Sequence, residues 1–568
     1  MNEIKELRLA KKLTQQECAE ILGVSKRTVQ NLEDESSNRD TDKFQYYVRL
    51  LKEAERSEFH TNVVLGKDLL KLHDIVKGYR KRDCFPLLCD YLHNDYRGKV
   101  FILYGLRRSG KTTLIFQVLG EVDVARAAYI KVKEGDSMAD LLKDINRLKN
   151  RGVEYLFIDE ATLIEDFINT AATLSDVYSA LGLKIVLSGT DSLGFAFAAN
   201  QELYDRNVMV HTSYISFREF SYVLGIDDID RYIEFGGTLK PENMGFDDPD
   251  YKNEDVSFRN EESTRKYIDT AICRNIQRSL KNFDFGSRFG HLKQLYDQGE
   301  LTNAINRIIE DMNHDFLVGV VTRRFKSHDL GSSRQLLAHS GEDEVQTALY
   351  DIDGEKLLAR LKAILDIKEK TEQTVEVTQE AVGQIMEYLR TLDLIKDVKV
   401  IYGDGSSSSR TVFTQPGMRY TITKALVHSL LQDPLFQSLS EKGKKEIVDT
   451  VLNDVKGRML EDIVLLDASL SSRNKMVFKY IDFTLGEFDL AIYDPEQNQV
   501  DIGEIKHSQA MVPETQAKFL YKADLIASLE RRFGQVERRF VLYRGKDGEC
   551  QGVIYRNVEA FLKTGQLK

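Results

Sequence analysis

One loop, GLRRSGKTT at residues 105–113, constrains the fold of this sequence more than any other feature. The spacing of Gly105, Gly110, Lys111 and Thr112 satisfies the pattern GxxxxGK[ST], in which backbone N–H groups face phosphate oxygens at the start of a helix. The apolar run VFILYG before it predicts a buried strand, and the run TTLIFQVLG after it predicts a helix. The pattern therefore predicts a phosphate-binding loop on a mostly parallel α/β sheet.

This loop and two further strands predict a site for ATP and Mg²⁺. We expect Lys111 to contact the β- and γ-phosphates and the Thr112 hydroxyl to bind Mg²⁺. The strand YLFIDEA ends in Asp159, expected near the Mg²⁺, and Glu160, expected near the attacking water. A third strand, KIVL, leads to Thr190, a polar group expected near the γ-phosphate. The predicted nucleotide contacts are Gly105, Arg108, Ser109, Gly110, Lys111, Thr112, Thr113, Asp159 and Thr190.

The segments GLRRSGKTTL, YLFIDEA, VLSGTDSLGF and ELYDRNVMVHTSYISFREF together resemble the archaeal-type, AAA-like ATPases of bacteria and archaea. The resemblance implies ATP hydrolysis, and it implies that the run ISFREF closes the ATPase core. Arg206 matches an arginine that precedes a strand, which implies a role as an arginine finger or nucleotide sensor. A finger that acts on a second copy would require a homo-oligomer, and a plain surface arginine is the alternative.

Residues 1–56 have helical periodicity and predict short helices around a small core. Thr14 can cap a helix that begins at Gln15, and Ser25 can cap the next helix after a turn at Gly23. The segment IKELRLAKKLTQQECAEILGVSKRTVQNLED resembles the Xre/Cro-like helix-turn-helix family, which implies that the second helix of the motif enters the major groove of DNA. A helical module that docks a protein is the alternative. The resemblance implies DNA contacts by Lys26, Arg27, Thr28, Gln30 and Asn31.

The last part of the chain predicts a β-hairpin that carries charged residues on one face. The runs FKYIDFT, EFDLAIYD and QVDIGEIKHS read as strands, and PEQN is the turn between the last two. If Asp494 faces Gln499 across this turn, Asp489 falls opposite Glu504, and Lys506 points to the same face. Two carboxylates that hold Mg²⁺ and a lysine that positions water are what a divalent-metal nuclease needs.

Glu461 on an upstream helix is a further candidate metal ligand, and Gln516 begins a downstream helix. Together with Asp489, Glu504 and Lys506, these residues resemble the PD-(D/E)xK restriction-endonuclease-like fold, which related ATPases commonly carry at this place. The resemblance implies a nuclease-like domain with catalytic Asp489, Glu504 and Lys506. A solvated hairpin is the alternative, and catalytic activity is a separate question from the fold.

Length predicts several domains and composition predicts a globular protein, and with the strand and helix patterns above they predict a multidomain α/β protein. The chain has 568 residues, more than one hydrophobic core usually organises, and its 42% hydrophobic and 30% charged residues are typical of globular proteins. The expected domains are a helix-turn-helix (1–56), a P-loop ATPase core (66–225), a helical lid or linker (226–345), a winged-helix-like domain (346–435) and the nuclease-like domain (436–568). For the winged-helix-like domain, DNA contact and simple packing stay open, with packing favoured.

Several classes of protein are disfavoured by the same counts. No apolar run approaches the roughly 18 residues that a membrane span needs, and the charged N-terminus does not resemble a secretory signal, so we expect a cytoplasmic protein without a membrane partner. Five scattered cysteines predict no disulfide framework. The net charge of −11 argues against a surface that is basic throughout, although a local groove could bind DNA.

Three functions remain compatible with these patterns. The first is an ATP-dependent DNA-processing or defence protein in which nucleotide binding controls a Mg²⁺-dependent nuclease. The second is a DNA-bound ATPase regulator whose nuclease-like domain is inactive. The third is an ATP-switched module that binds a protein partner. All three predict ATP binding, and they differ in DNA binding and in cleavage.

Overall fold

The computed structural model describes residues 3–11, 13–33, 42–53, 59–164, 166–200, 203–239, 257–283, 285–327, 377–431, 437, 440–472 and 474–565. Residues 240–256 of the expected helical lid or linker and residues 346–376 of the expected winged-helix-like domain lie outside the described residues.

The N-terminal part is helical, as its periodicity predicts. Its helices enclose a small core that includes Ile4, Cys18 and Val29. The Ser25 hydroxyl accepts a hydrogen bond from the Thr28 N–H at 3.2 Å, which confirms the predicted helix cap. The helices are α1 (Glu3–Ala10), α2 (Gln15–Leu22), α3 (Lys26–Glu33) and α4 (Asp42–Glu53).

The segment expected to form the ATPase core contains a sheet whose strands pair in the order β1-β3-β4-β5-β2-β6. The first strand is antiparallel to β3 and the other pairs are parallel, so the predicted mostly parallel sheet is confirmed. The strands are β1 (Asn62–Leu65), β2 (Val100–Tyr104), β3 (Ala127–Lys131), β4 (Tyr155–Asp159), β5 (Lys184–Gly189) and β6 (Asn207–His211).

Helices cover both faces of this sheet. Ile102 and Ile158 pack with α8 on one face, whereas Phe101 and Phe157 pack with α7 on the other. Because both faces are buried, each central strand reads as a continuous apolar run. The helices are α5 (Lys67–Ile75), α6 (Phe85–His93), α7 (Lys111–Val118), α8 (Met138–Asn150), α9 (Phe167–Thr170), α10 (Ser192–Asn200) and α11 (Phe217–Leu224).

Helices of the middle segment follow the core and share one apolar cluster with the C-terminal part of the chain. A π-helical turn, Ile268–Cys273, joins two of them. The helices are α12 (Ile229–Phe235), α13 (Glu261–Tyr267), α14 (Arg274–Asn282), α15 (Gly290–Asp297), α16 (Leu301–Ser327), α17 (Gln379–Thr391) and α18 (Pro416–Leu430). None of the helices that the structure describes is long and apolar enough to cross a membrane.

The predicted wing is a hairpin of β7 (Ile395–Tyr402) and β8 (Ser407–Phe413). Its strand β7 pairs in parallel with β9 (Met476–Asp482), so Val400 faces Lys479. The hairpin is therefore part of the C-terminal sheet, and the domain boundary expected at 435/436 separates strands that are hydrogen-bonded to each other. The hairpin covers the edge of β9, which removes unpaired backbone groups from solvent.

The C-terminal sheet has the strand order β13-β14-β12-β11-β10-β9-β7-β8. A long helix, α19, precedes the antiparallel run β9-β10-β11, and α21 then leads to β12, which is parallel to β11. The remaining elements are α19 (Glu441–Ser471), β10 (Gly486–Asp494), β11 (Gln499–Ile505), α20 (Pro513–Gln516), α21 (Ala523–Phe533), β12 (Gln535–Tyr543), β13 (Gly548–Cys550), β14 (Val553–Asn557) and α22 (Val558–Thr564).

The predicted register of the hairpin β10–β11 is confirmed. Asp494 faces Gln499, and Leu490 faces Gly503, one position from Asp489 and Glu504. Residue numbers in these pairs sum to a constant, as the sequence analysis assumed.

A buried ion pair ties the start of the ATPase core to its end. Arg82 donates from Nε and Nη2 to the Glu219 carboxylate at 2.8 and 2.7 Å, and both side chains are buried. Arg82 Nη1 also donates to the carbonyl oxygens of Ser109 and Thr212 at 2.5 and 2.7 Å. Because Glu219 lies within the run ISFREF, this run fixes the nucleotide loop through Arg82.

We predict that Arg82→Met lowers the free energy of unfolding by about 3–5 kcal/mol, because it leaves the Glu219 carboxylate buried without a positively charged partner. The neighbouring Arg218→Met is the matched control, since Arg218 pairs with Asp83 at an exposed site and its loss should cost less than about 1 kcal/mol. Urea unfolding followed by circular dichroism measures both. Equal losses in the two variants would contradict the role given to Arg82.

Candidate nucleotide site and C-terminal charged cluster

The nucleotide loop has the backbone conformation that its glycines allow. Gly105 and Gly110 have φ angles of 144° and 84°. A Cβ at Gly105 would lie 2.7 Å from Thr212 Oγ1 and 2.9 Å from the Ser213 backbone nitrogen. Gly110 is therefore required because its φ angle is unfavourable for other residues. Gly105 is required for the same reason and because a side chain there would collide with Thr212 and Ser213.

Lys111 begins α7 and folds back over the loop. Its Nζ donates to the carbonyl oxygens of Gly105 and Leu106 at 2.8 and 2.9 Å. Burial lowers the pKa of Lys111 to about 8. Ser109 donates from Oγ to the same Leu106 oxygen at 2.9 Å, so the loop is closed by its own side chains. Thr113 lies beside Thr112 in the first turn of α7.

Asp159 is the most completely surrounded carboxylate of this site, with 1% of its surface exposed. Its Oδ2 accepts hydrogen bonds from Thr112 Oγ1 at 3.1 Å, Tyr129 OH at 2.9 Å and Lys131 Nζ at 2.7 Å. Ser188 donates to its Oδ1. Burial opposes ionisation, but the charge of Lys131 and these hydrogen bonds hold the pKa of Asp159 below its usual value.

Glu160 and Thr190 come together beside Asp159. Glu160 has a φ of 60°, and its Oε2 accepts from the Thr190 N–H and Oγ1, each at 3.3 Å. Asn275 on α14 donates to the Thr190 carbonyl oxygen at 2.8 Å, so the helical segment after the core contacts this edge of the sheet.

Arg108 lies on the nucleotide loop, whereas Arg206 lies at the opposite end of the sheet. Arg108 donates to Ser257 Oγ at 2.7 Å, which connects the nucleotide loop to the helical segment. Arg206 precedes β6 and lies at the end of the sheet opposite the loop, where it pairs with exposed Asp176 at 2.9 Å. The length of β2 is roughly 17 Å at about 3.3 Å per residue, so the structure excludes Arg206 from the nucleotide site of its own chain. Action on a second copy stays a prediction.

The predicted DNA-contacting residues lie on the helix α3. Lys26, Arg27, Gln30 and Asn31 are exposed, whereas Thr28 is half-buried and shares a hydrogen bond with Ser25 at 2.8 Å. On the buried side, Glu33 accepts from Gln15 Nε2 at 2.8 Å and pairs with Arg8, which fixes α3 against α1 and α2. Four of the five predicted residues thus share an accessible surface.

The C-terminal cluster gathers the predicted carboxylates and lysine. Lys506 Nζ lies 3.1 Å from Asp489 Oδ2 and 2.6 Å from Glu504 Oε2. Burial and the neighbouring charge of Asp489 raise the pKa of Glu504 well above its usual value. Gln516 holds the loop after β11, since it donates to Ser508 Oγ and the Ala510 carbonyl oxygen, each at 2.7 Å.

Lys479 on β9 was not predicted, although it belongs to this cluster. Its Nζ lies 3.0 Å from Asp489, 3.3 Å from Glu461 and 3.3 Å from Glu487. The lysine therefore stands between Glu461 and Asp489. Within the described ranges, no three His, Cys, Asp or Glu side chains group as a metal site. The sequence feature that could have indicated this residue is its position as an isolated lysine between apolar residues in FKYIDFT.

The cluster opens into a cleft with a volume of about 1410 Å³. Lys479, Lys506 and Glu461 lie on its wall together with Arg410 of the hairpin β7–β8 and Arg458 of α19. Arg410 pairs with Asp462, and Arg458 shares the Glu461 carboxylate with Lys479, so opposite charges are neighbours along this wall.

Comparisons with known proteins agree with two of these parts. Residues 97–221 match a family model described as an AAA domain, and residues 4–37 match one described as a helix-turn-helix. An uncharacterized protein of Methanocaldococcus jannaschii is 24% identical over 208 residues, a match that covers 32% of this chain and 44% of that protein. The chain therefore contains an AAA-type ATPase domain and a helix-turn-helix motif, and it spans less than half of that relative.

Two solved structures were also matched. The Aeropyrum pernix ORC1 protein in complex with DNA is 14% identical, with 66% of this chain and 95% of that chain covered and a TM-score of 0.19. The S. cerevisiae Hsp104–ADP complex is 12% identical, with 72% and 60% covered and a TM-score of 0.21. TM-scores this low carry no argument about the whole chain.

We predict that Lys111→Ala lowers ATP affinity by at least about 100-fold, because Lys111 supplies charged hydrogen bonds worth about 1.5–3 kcal/mol each.

Glu160→Gln should keep ATP affinity but slow hydrolysis by about 10²–10⁴-fold, since the amide cannot take a proton from water. Calorimetric ATP titration and a phosphate-release assay measure the two effects.

Lys99→Ala is the control, since Lys99 lies at the other end of the sheet and pairs with exposed Asp205. Unchanged ATP affinity in Lys111→Ala would contradict the assigned site.

Proposed function

We propose that this protein is a DNA-associated ATPase that binds ATP with Mg²⁺ at the carboxyl edge of the β2–β6 sheet. The observation that carries the proposal is the convergence of Lys111, Thr112, Asp159, Glu160 and Thr190 at this edge, although they come from separate segments. The side-chain oxygens of Thr112 and Asp159 lie 3.1 Å apart, and two oxygens are ligands that suit Mg²⁺.

Each residue has a distinct task in this proposal. Lys111 exchanges its loop carbonyl partners for phosphate oxygens, and Thr112 and Asp159 hold the Mg²⁺. Bound by these two residues, Mg²⁺ would supply positive charge next to the phosphates. Glu160 orients the attacking water and accepts its proton, and Thr190 fixes the Glu160 carboxylate near the γ-phosphate. Arg206 supplies positive charge to the site of a second copy if the protein forms a homo-oligomer.

The helix α3 is proposed to bind DNA in the major groove. Lys26, Arg27, Gln30 and Asn31 form an exposed surface on a helix that is held in place by buried Glu33. Lysine and arginine on such a surface bind phosphates, and the amide side chains can read base edges.

A nuclease-like C-terminal domain is the second part of the proposal. The element order α19, β9, β10, β11, α21, β12 supports a PD-(D/E)xK-type core, with an antiparallel run followed by a parallel strand. Asp489 and Glu504 would hold Mg²⁺, which supplies a Lewis acid and an activated water. Glu504 Oε1 is buried and has no hydrogen-bond partner among the described residues, so it is an oxygen that could hold a cation. Glu461 and Asp489 already contact Lys479, which favours an inactive cluster.

Helix α12 gives a structural route by which nucleotide could control this cluster. Past its C-terminal end, the Leu239 N–H donates to the Arg108 carbonyl oxygen of the nucleotide loop at 2.9 Å. At its N-terminal end, Asp230 accepts from His507 Nε2 at 2.7 Å, and His507 directly follows Lys506. A shift of the loop on ATP binding would therefore be transmitted toward Lys506.

We predict that Arg27→Ala and Gln30→Ala each weaken DNA binding, measured by fluorescence anisotropy with random-sequence and selected duplexes. Arg27→Ala should weaken binding to all sequences and reduce the salt dependence, whereas Gln30→Ala should cost about 1–3 kcal/mol on preferred sequences. Lys43→Ala is the control, because this exposed lysine lies on α4. No loss in either variant would favour a helical module that docks a protein.

We predict cleavage of linear or plasmid DNA with Mg²⁺ or Mn²⁺ that is lost in Lys506→Ala and Glu504→Ala. Gel electrophoresis with and without ATP measures it, and the Lys111→Ala variant shows whether bound nucleotide is needed. Lys475→Ala is the matched control, since Lys475 pairs with Asp494 at the far end of the same strands.

Absence of cleavage under all of these conditions would leave a DNA-bound ATPase regulator as the function. Absence of both cleavage and DNA binding would leave an ATP-switched interaction protein.

A further inference from the structure

Lys131 is a charged residue of the nucleotide site that has no place in the functions assigned above. It is the last residue of β3, and it faces Asp159 in the parallel pairing of β3 with β4. Its Nζ lies 2.7 Å from Asp159 Oδ2, the oxygen to which Thr112 also donates. The ammonium group therefore lies where the proposed Mg²⁺ ligands meet.

The carboxylate of Asp159 needs a positive partner at all times, because only 1% of its side chain is exposed. A buried carboxylate without a counter-ion is strongly unfavourable. Tyr129 and Ser188 donate hydrogen bonds but carry no charge. Lys131 is the residue whose charge most strongly favours the ionised form of Asp159.

Lys131 and Mg²⁺ cannot share Asp159 Oδ2 without strong repulsion. A protein carboxylate binds Mg²⁺ at about 2.1 Å, which would bring the two cations within a few ångströms of each other. Lys131 has 37% of its side chain exposed, so it can turn away from Asp159, whereas the buried carboxylate cannot.

We propose that Lys131 occupies the cation position at Asp159 and releases it when nucleotide phosphates arrive, so that the site accepts a divalent cation together with nucleotide and excludes the free ion. This inference rests on the proposed ATP site. The negative charge of the phosphates provides a new partner for the displaced ammonium group. Lys131 is thus a positioning residue that acts through Asp159.

The test uses Mn²⁺ alone as a probe, without nucleotide. Every sample is the full chain carrying Glu504→Ala, including the reference sample with Lys131 unchanged, so that the C-terminal cluster does not hold the ion. Loss of the free-ion signal in electron paramagnetic resonance reports binding. The reference sample should bind Mn²⁺ weakly, and Lys131→Met should bind it at least about tenfold more tightly, because a nearby like charge has been removed. Lys133→Met is the matched control, since it removes the same charge from an exposed position two residues away.

Further variants keep the test decisive. Lys131→Gln retains hydrogen-bond donors without the charge, so it replaces Lys131→Met if that variant fails to fold by circular dichroism. Lys131→Arg should exclude Mn²⁺ as the reference sample does. Adding Asp159→Asn to Lys131→Gln should abolish the new Mn²⁺ binding, which locates the ion.

The proposal would be overturned if both neutral variants, Lys131→Met and Lys131→Gln, bound Mn²⁺ with the affinity of the reference sample. It would also be overturned if the new Mn²⁺ binding survived Asp159→Asn. The ATP site itself is tested separately. Wild-type protein that fails to bind ATP with Mg²⁺ would contradict the proposed function, whereas wild type that binds ATP while the Lys131 variants match Lys133→Met would contradict this inference alone.

Discussion

Parallel pairing of β3, β4, β5 and β2 is the constraint on which the nucleotide site depends. Parallel strands end at the same edge of a sheet, so residues that are far apart in sequence become neighbours there. Two of these strands end in Lys131 and Asp159, and the other two are followed by Gly105 and Thr190. Hydrogen bonds of 2.7–3.3 Å connect side chains at this edge. A slip by one residue would move a charged strand end such as Asp159 by about 3.3 Å relative to its partners on the neighbouring strands, so these contacts favour the observed register.

Buried carboxylates with basic partners recur in both sheets. Asp159 pairs with Lys131 of the adjacent strand, and Asp489 pairs with Lys479 of the adjacent strand. Glu219 pairs with Arg82 in the same way between two segments of the ATPase core. Removing each pair from water costs free energy, and leaving one buried charge without its partner costs more. Each pair therefore favours the arrangement of the chain that keeps both partners together over compact alternatives. The proposed cation at either Asp would therefore compete with a lysine that the fold already provides.

Local patterns made part of this structure predictable. The spacing of Gly105 and Gly110 required a loop between strand and helix, and the turn after Asp494 determined the register that brings Asp489 toward Glu504. Lys131 and Lys479 could not be assigned, because pairing with a neighbouring strand is a long-range contact that spacing does not encode. For the same reason the pairing of β7 with β9 went unpredicted, and the role that the resemblance implies for Arg206 left open whether this residue acts on its own chain or on a second copy.

The helix α12 shows why the parts of this chain should not be treated as independent modules. Leu239, just past one end of the helix, contacts the nucleotide loop at Arg108, and Asp230 at the other end contacts His507, Arg544 and Lys456 of the C-terminal part. Although burial opposes ionisation, these basic partners hold the pKa of Asp230 below its usual value. The segment 230–239 therefore contacts both the nucleotide loop and the C-terminal part, and this is the continuous path of contacts that coupling between the two sites would use.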